Sequence, residues 1–343
     1  METQERIPQT PPIIAPLGID VPRVLWSVMI PAYNCSKYLT ETINSVLLQD
    51  LGADIMQIEV IDDCSTDDDV QRLVETVGKG RVSYYRQKEN VGSLRNFETC
   101  INRARGKYIH LLHGDDRVLP GYYAGIQNEF DLLPEAGAVY SAWRTIDEHG
   151  NIVAERAEPV KDAAILEQSL LKLARLNLIQ YVSITVKREV YEKVGSFYAA
   201  RYGEDWLMWV TISKHFPIVF LPKTFAEYRL HKTSISSDSL LSGEHFVDIK
   251  KIFSLTKPLL PPDRQKEVIL YARKDYAYYS LQLTSDLWHS IKKTKPVLRQ
   301  ITGLLNFYVD AHILKGIGHL LSWLAKDELR KLILFKKEEP DNS

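Results

Sequence analysis

Polar residues able to do chemistry recur just after short apolar runs in this chain. The first run ends in Pro31-Ala32-Tyr33-Asn34 and the second in Asp62-Asp63-Cys64-Ser65-Thr66-Asp67; a third is followed by Asn90-Val91-Gly92 and Arg95-Asn96. Pro31 and Tyr33 could wall a flat base, and Asp63 could accept hydrogen bonds from a base edge or a ribose. Taken alone, either motif reads more simply as a turn or a helix cap. Arg95, on the first turn of a helix beside free backbone N–H groups, suits a phosphate. Its plainer reading is an Asn-x-Gly turn with a solvated arginine. His113-Gly114-Asp115-Asp116 makes a stronger demand. Two adjacent carboxylates at the end of a buried strand repel each other and lose hydration unless positive charge lies near. Mg2+ or Mn2+ meets that demand, because hard cations are held by one or two carboxylates plus substrate phosphates.

Such residues act together only if the fold brings strand ends to one edge, and the hydropathy pattern predicts this. Strands are expected over 24–30, 58–61, 82–86 and 108–112, alternating with helices over 37–49, 68–77 and 91–103. A helix to about Leu133, a strand at 138–142 and a turn at His149-Gly150-Asn151 continue the pattern. Beyond them, 165–176 and 204–214 have helical spacing, while 181–186, 218–221 and 225–229 look extended. This is an α/β chain with a parallel or mixed sheet, whose ligands bind outside the carboxyl ends of the strands. No G-x-G-x-x-G turn follows the first strand, which argues against a dinucleotide-binding oxidoreductase.

Composition sets the outer bounds. The 343 residues carry 43 basic and 44 acidic side chains, net charge -1, which disfavours a dedicated nucleic-acid binder and fits an ordinary globular protein. Three cysteines without metal or redox spacing suggest a reducing compartment, and no 18-residue apolar run is present, so a cytoplasmic location is expected. Residues 1–23, with five prolines, read as a flexible tail.

In order and spacing, PAYN, DDCSTD, N-x-G-x-x-x-R-N, HGDD, GEDW and YRLHKTSIS resemble the motif series of family 2 glycosyltransferases. The resemblance spans about 24–236. It implies a GT-A fold, a mixed sheet flanked by helices with a helical C-terminal extension over 237–343, and inverting transfer from a nucleotide-sugar. It also implies that Pro31, Tyr33 and Asp63 bind the donor's nucleoside, with Arg95 near base and phosphates. Asp115 would ligate the metal, and His113 takes the place of the first D-x-D aspartate, where imidazole can still meet a hydroxyl. Asp116 would orient Asp115 or contact the sugar. Asp205 becomes the base that takes the acceptor's proton, since inversion needs one such carboxylate. Glu204 and Asp205 could otherwise simply favour a helix N-terminus. Arg229 and His231 would bind phosphate oxygens, or His231 would complete the metal site. Cys64 stands where this family usually has glycine; it and Cys35 could border the nucleotide, although small inert thiols explain both. Trp143 and Trp206 are candidates for the acceptor side, with core packing the simpler role for aromatics at helical spacing.

Past residue 237 the pattern is helical, and from 291 to 337 ten basic residues face three acids. Basic amphipathic helices suit an anionic membrane surface carrying a glycan or lipid-linked glycan acceptor, which would make the protein peripheral at the inner face of the cytoplasmic membrane. The same apolar faces could pack on the catalytic domain or on a second subunit of a homo-oligomer. Two rivals to the transferase reading are a non-catalytic nucleotide-sugar or glycan-binding module of the same fold and a nucleotidyltransferase. The latter would normally begin with a glycine-rich phosphate loop, which Pro31 to Asn34 do not supply.

Overall fold

The computed structural model describes residues 5–155, 162–231 and 234–338. One mixed sheet carries the strand-end motifs. Its strands are β1 (Val24–Ala32), β2 (Met56–Asp62), β3 (Ser83–Arg86), β4 (Gly106–Leu111), β5 (Arg117–Val118), β6 (Ala138–Ile146), β7 (Ile152–Glu155), β8 (Ala164–Ile165), β9 (Ile184–Lys187) and β10 (Ile218–Arg229). The order is β3-β2-β1-β4-β9-β6-β10-β5, with β7 beside β6 and β8 beside β10. Strands β3, β2, β1 and β4 are mutually parallel, as are β6 and β10, while β9 runs antiparallel between β4 and β6. One reversed strand flanked by two blocks restores the original direction. The carboxyl ends of β1, β2, β4 and β10 therefore lie along one edge.

Helices α1 (Ser36–Leu47), α2 (Val70–Gly78) and α4 (Tyr122–Leu132) cover one face of the sheet. The other face is covered by α3 (Ser93–Arg103), α5 (Ser169–Arg175), α6 (Arg188–Val194) and α7 (Glu204–His215). Strands β1 and β2 are buried almost throughout, because both faces are covered, and so read as continuous apolar runs. Asp69 caps α2 by accepting from the Arg72 N–H, which places the DDCSTD loop directly before a helix.

The chain continues as α8 (Ile235–Ser242), α9 (His245–Thr256), α10 (Gln265–Ile291), α11 (Thr294–Phe307) and α12 (Ala311–Glu338). Phe246, Ile249, Ala272, Tyr276 and Leu304 join the same buried cluster as Trp206 and Trp209 of α7. The C-terminal helices thus share a core with the sheet, and position 237 falls within α8, whose cap is Ser234.

Three local expectations differ from the structure. The helix foreseen over 165–176 is the end of β8 followed by the shorter α5. The two extended runs at 218–221 and 225–229 form one strand with two register shifts. Helix α6 and the short strands β5 and β7 had no clear periodic signal. The tail foreseen over 1–23 is, from residue 5, held against the domain. Ile14 is buried in the main core, and the Pro8 and Pro12 carbonyls accept from the Ala199 and Ser196 N–H groups.

Candidate active site

Main-chain bonds beyond the strand ends set the site loops. Asp63 N–H donates to the Ala32 carbonyl at 2.8 Å and Gly114 N–H to that of Pro31 at 3.1 Å, so the three motif loops are stitched side by side. Asn34 accepts from the Thr66 N–H at 2.8 Å and donates its own N–H to Ser65 Oγ at 2.9 Å. Pro31 is buried in the strand, and Tyr33, just beyond the strand end, is half exposed. Cys64 has φ 64°, the left-handed region that favours glycine, which is why glycine suits this position in the resembling motif.

The two aspartates of the second motif have different tasks. Asp62 is fully buried and accepts from Tyr84 Oη, Arg86 Nη1 and the Ser65 N–H, anchoring the loop. Asp63 accepts from Val91 N–H at 2.7 Å, Gly92 N–H at 3.0 Å and Asn90 Nδ2 at 3.0 Å. Burial raises its pKa above the ordinary carboxylate value, partly countered by those two N–H groups.

Asp115 sits at the end of β4, its Oδ2 bonded to His231 Nε2 at 2.9 Å. Burial alone would raise its pKa, but the His231 hydrogen bond and the neighbouring imidazoles outweigh it and hold the carboxylate below its usual range. Asp116 faces inward, accepting the Arg229 N–H at 2.8 Å; burial and then the Asp115 charge push its pKa well up. It orients the loop from beneath.

His113 stacks on Phe97 at 5.2 Å and meets Tyr181 at 4.4 Å. Burial lowers its pKa, against the pull of Asp115. Its Nε2 is buried without a protein partner. One donor atom each from His113, Asp115 and Asp116 lies within 4.8 Å of the others. An orphaned imidazole nitrogen beside an ionised carboxylate fits a divalent cation, with Asp115 and His113 as the groups free to hold it.

Two expectations are corrected. Arg229 is not a crevice residue: its side chain is fully buried, with Nε donating to the Asp115 carbonyl at 2.8 Å, Nη1 to that of Asp147 at 3.2 Å and Nη2 to Glu41 Oε2 at 2.8 Å. Its guanidinium also stands 4.8 Å from the Tyr38 ring centroid. The donors foreseen for phosphate instead lock the Asp115 loop to β10 and α1. Arg95 is likewise occupied, with Nε on the Glu5 carbonyl at 2.9 Å and Nη1 on Glu98 at 2.8 Å. Of the late motif, His231 reaches the Asp115 carboxylate and Arg229 its carbonyl.

Gly203, at φ 85°, turns the chain into α7 and presents Glu204 and Asp205 on its first turn. Asp205 accepts from Asn177 Nδ2 at 2.9 Å and from the Trp206 N–H at 2.7 Å. Burial raises its pKa, more than these two bonds lower it. Glu204 lies well above its normal value, through burial and then the Asp205 charge, and accepts from Tyr181 Oη at 3.2 Å. Tyr181 therefore touches both His113 and Glu204 and joins the strand-end loop to the head of α7. Asn177, Tyr181 and Glu41 carry no motif; the extended run before 186 was the only hint of Tyr181. Trp206 and Trp209 are core residues, Trp206 Nε1 being bonded to the Leu173 carbonyl. Trp143 is half-buried against Tyr228. Cys35 is packed against Gly114, and burial raises its thiol pKa, as expected for an inert sulfur.

A mixed sheet with acidic loops at the carboxyl ends of its strands, a D-x-D-like turn and an acidic helix head below defines the GT-A class of nucleotide-sugar folds. Within that class, residues 27–192 match the family described as Glycosyl transferase family 2. Among curated relatives, Escherichia coli chondroitin synthase is 36% identical over 132 residues, covering 38% of this chain and 19% of that protein. The putative teichuronic acid biosynthesis glycosyltransferase TuaG of Bacillus subtilis is 25% identical, covering 62% and 82%. The chain spans only 19% to 35% of the first three curated relatives. Two solved structures share the fold. Staphylococcus aureus TarS 1-349 in complex with UDP-GlcNAc has TM-score 0.63 at 16% identity, covering 83% and 80%. The Pyrobaculum calidifontis mannosyltransferase PcManGT with GDP-Man and Mn2+ has TM-score 0.54 at 18% identity, covering 88% and 84%. Both matches extend beyond the length of the sheet domain, consistent with helices that share its core.

Proposed function

We propose that this protein is a metal-dependent, inverting glycosyltransferase that moves a sugar from a nucleotide-sugar to a hydroxyl acceptor, in polysaccharide, lipopolysaccharide or glycolipid assembly. The observation that carries this reading is the junction at Tyr181, whose ring meets His113 and whose hydroxyl donates to Glu204, the neighbour of Asp205 on the head of α7. In this reading Asp63 and Tyr33 receive the nucleoside. Asp115 and His113 hold Mg2+ or Mn2+, which neutralises charge on the departing diphosphate when bound. His231 fixes the Asp115 carboxylate and keeps it ionised. Asp205, oriented by Asn177, takes the proton from the attacking hydroxyl at Oδ1 or Oδ2.

The reading is tested by thermal unfolding with UDP-, GDP- and dTDP-sugars, with and without Mn2+. A ligand at a hundredfold its Kd stabilises the folded state by about 2.7 kcal/mol. One donor should raise Tm only when Mn2+ is present, and Asp115→Asn should remove the metal-dependent part of that rise. No shift with any donor would sink the proposal.

The acceptor setting is proposed to be an anionic membrane. No helix among the described residues is long and apolar enough to cross a bilayer. Between α8–α9 and α11 lies a groove of about 850 Å³ whose lining includes Phe246, Val247, Leu298, Lys250, Lys295 and Arg299, with no acidic residue. Lys295→Glu with Arg299→Glu should weaken binding to anionic vesicles in flotation by about thirtyfold or more, at about 1 kcal/mol per basic residue lost near the surface. Unchanged flotation, or none by the parent chain, would remove the membrane from this reading.

A further inference from the structure

We infer that the N-terminal segment belongs to the donor side of the crevice and that Arg6 is a positioning residue for the nucleoside, acting through Asn90 on Asp63. This rests on the proposed role of Asp63 in nucleoside binding. Arg6 donates from Nη1 to the Asn90 carbonyl at 3.1 Å and from Nη2 to Asn90 Oδ1. With Oδ1 taken, the Asn90 amide has one orientation left. Its Nδ2 donates to Asp63 Oδ2 at 3.0 Å and to the Asp63 carbonyl at 3.1 Å. Arg6 thus selects the amide orientation that offers Asp63 donors rather than a second acceptor.

The same side chain fills the space above Gly92. A Cβ on that glycine would stand 3.3 Å from Arg6 Nε, and Gly92 itself has φ 89° and donates its N–H to Asp63. The loop that binds Asp63 is therefore held from one side by the carboxylate and from the other by Arg6. Next to it, Arg95 Nε donates to the Glu5 carbonyl at 2.9 Å, so the segment is fixed at two successive residues.

Further along, the segment is tied to the part of the chain that leads to the base. Ala199 and Ser196 donate to the Pro8 and Pro12 carbonyls, and Arg188 Nη2 donates to the Ala15 carbonyl at 3.0 Å. A Cβ on Gly195 would lie 2.7 Å from the Pro12 oxygen, so the two backbones approach as closely as a glycine permits. Residues 5–15 bridge the Asn90–Gly92 loop and the 195–203 segment that opens α7. Ile14, buried in the main core, anchors the bridge between them. Arg6 lies at its exposed end, where substitution spares the core.

Calorimetric titration with UDP, GDP and dTDP in the presence of Mn2+, alongside turnover, tests the inference on the full chain. Loss of the guanidinium removes hydrogen bonds of about 1 kcal/mol net, so Arg6→Ala should weaken binding of the accepted nucleotide about 3- to 10-fold. It should raise donor KM by the same factor with little change in kcat, and Arg6→Lys, which can serve one Asn90 oxygen, should recover part of the loss. Unchanged nucleotide affinity in Arg6→Ala overturns the inference. Tighter binding overturns it too, because Arg6 would then obstruct the pocket. If the parent chain binds none of these three nucleotides, the donor reading itself fails and takes the inference with it.

Discussion

Asp205→Asn is expected to lower turnover by about 10²- to 10⁴-fold, the range that general-base catalysis contributes, while donor affinity stays nearly unchanged. The substitution keeps the size of the side chain and leaves an acceptor for Asn177 Nδ2. It removes only the capacity to take a proton. A mutation that costs kcat without costing substrate binding has removed an interaction used in the transition state. The pH profile gives a second reading of the same group. A base works when deprotonated, and burial raises the Asp205 pKa, so activity should fall as pH drops through a value above the ordinary carboxylate range. Glu204→Gln should be the milder change. Burial and the Asp205 charge keep Glu204 protonated to higher pH, and a neutral amide resembles a neutral carboxyl group. If both variants lose activity equally, or if Asp205→Asn retains turnover, Asp205 is not the base.

These roles were partly readable from residue order, and the reason is the sheet. In a sheet whose main strands run one way, the polar residue that follows each apolar run must lie on a single edge. Tyr33, Asp63, Asp115 and His231 could therefore be grouped before any coordinates. The helix head at Glu204 and Asp205 was equally legible, because glycine followed by two acids marks a helix start. What sequence does not carry is which way a side chain turns at that edge. Asp62 and Asp63 are neighbours of one type, yet one anchors the loop on Arg86 and the other faces the Asn90 loop. Arg95 and Arg229 have the charge a diphosphate wants, but contacts far away in sequence consume their donors: Glu5 for one, Glu41 and Asp147 for the other. Asn177 and Tyr181 were invisible for the opposite reason. Their roles arise only where the chain between β8 and β9 crosses beneath α7. The reversed strand β9 itself could not be told from a parallel one, since a short buried run has no direction in its composition. The proline-rich start of the chain misled in the same way. Proline excludes regular hydrogen-bonded structure, but it leaves carbonyls free to accept bonds from neighbouring loops.

Arg229→Met is the substitution expected to do most damage to the fold, and it separates the two readings of that residue. A phosphate ligand at the crevice could be lost with donor KM rising and Tm unchanged. The buried guanidinium instead serves two main-chain carbonyls and a carboxylate on three separate segments, none of which gains a new donor when it goes. Methionine fills much of the volume but offers no N–H, so the Asp115 and Asp147 carbonyls are left unpaired. Hydrogen bonds to a charged group contribute about 1.5 to 3 kcal/mol. The Glu41 partner is half exposed and can be resolvated, so its share is small. The two carbonyls and the lost cation–π contact with Tyr38 should together cost about 3 kcal/mol, or a Tm lower by about 4 °C for a folded unit of this length. Because Arg229 Nε holds the carbonyl of Asp115 itself, the loop that carries the proposed metal ligand should loosen as well. The Mn2+-dependent donor shift should therefore weaken in Arg229→Met even at temperatures where the variant is folded. Arg229→Lys can satisfy one of the three acceptors, and its Tm should lie between those of the parent and the methionine variant. A methionine variant with parental Tm and a selective loss of donor affinity would return Arg229 to the phosphate-binding role that its place in the late motif first suggested.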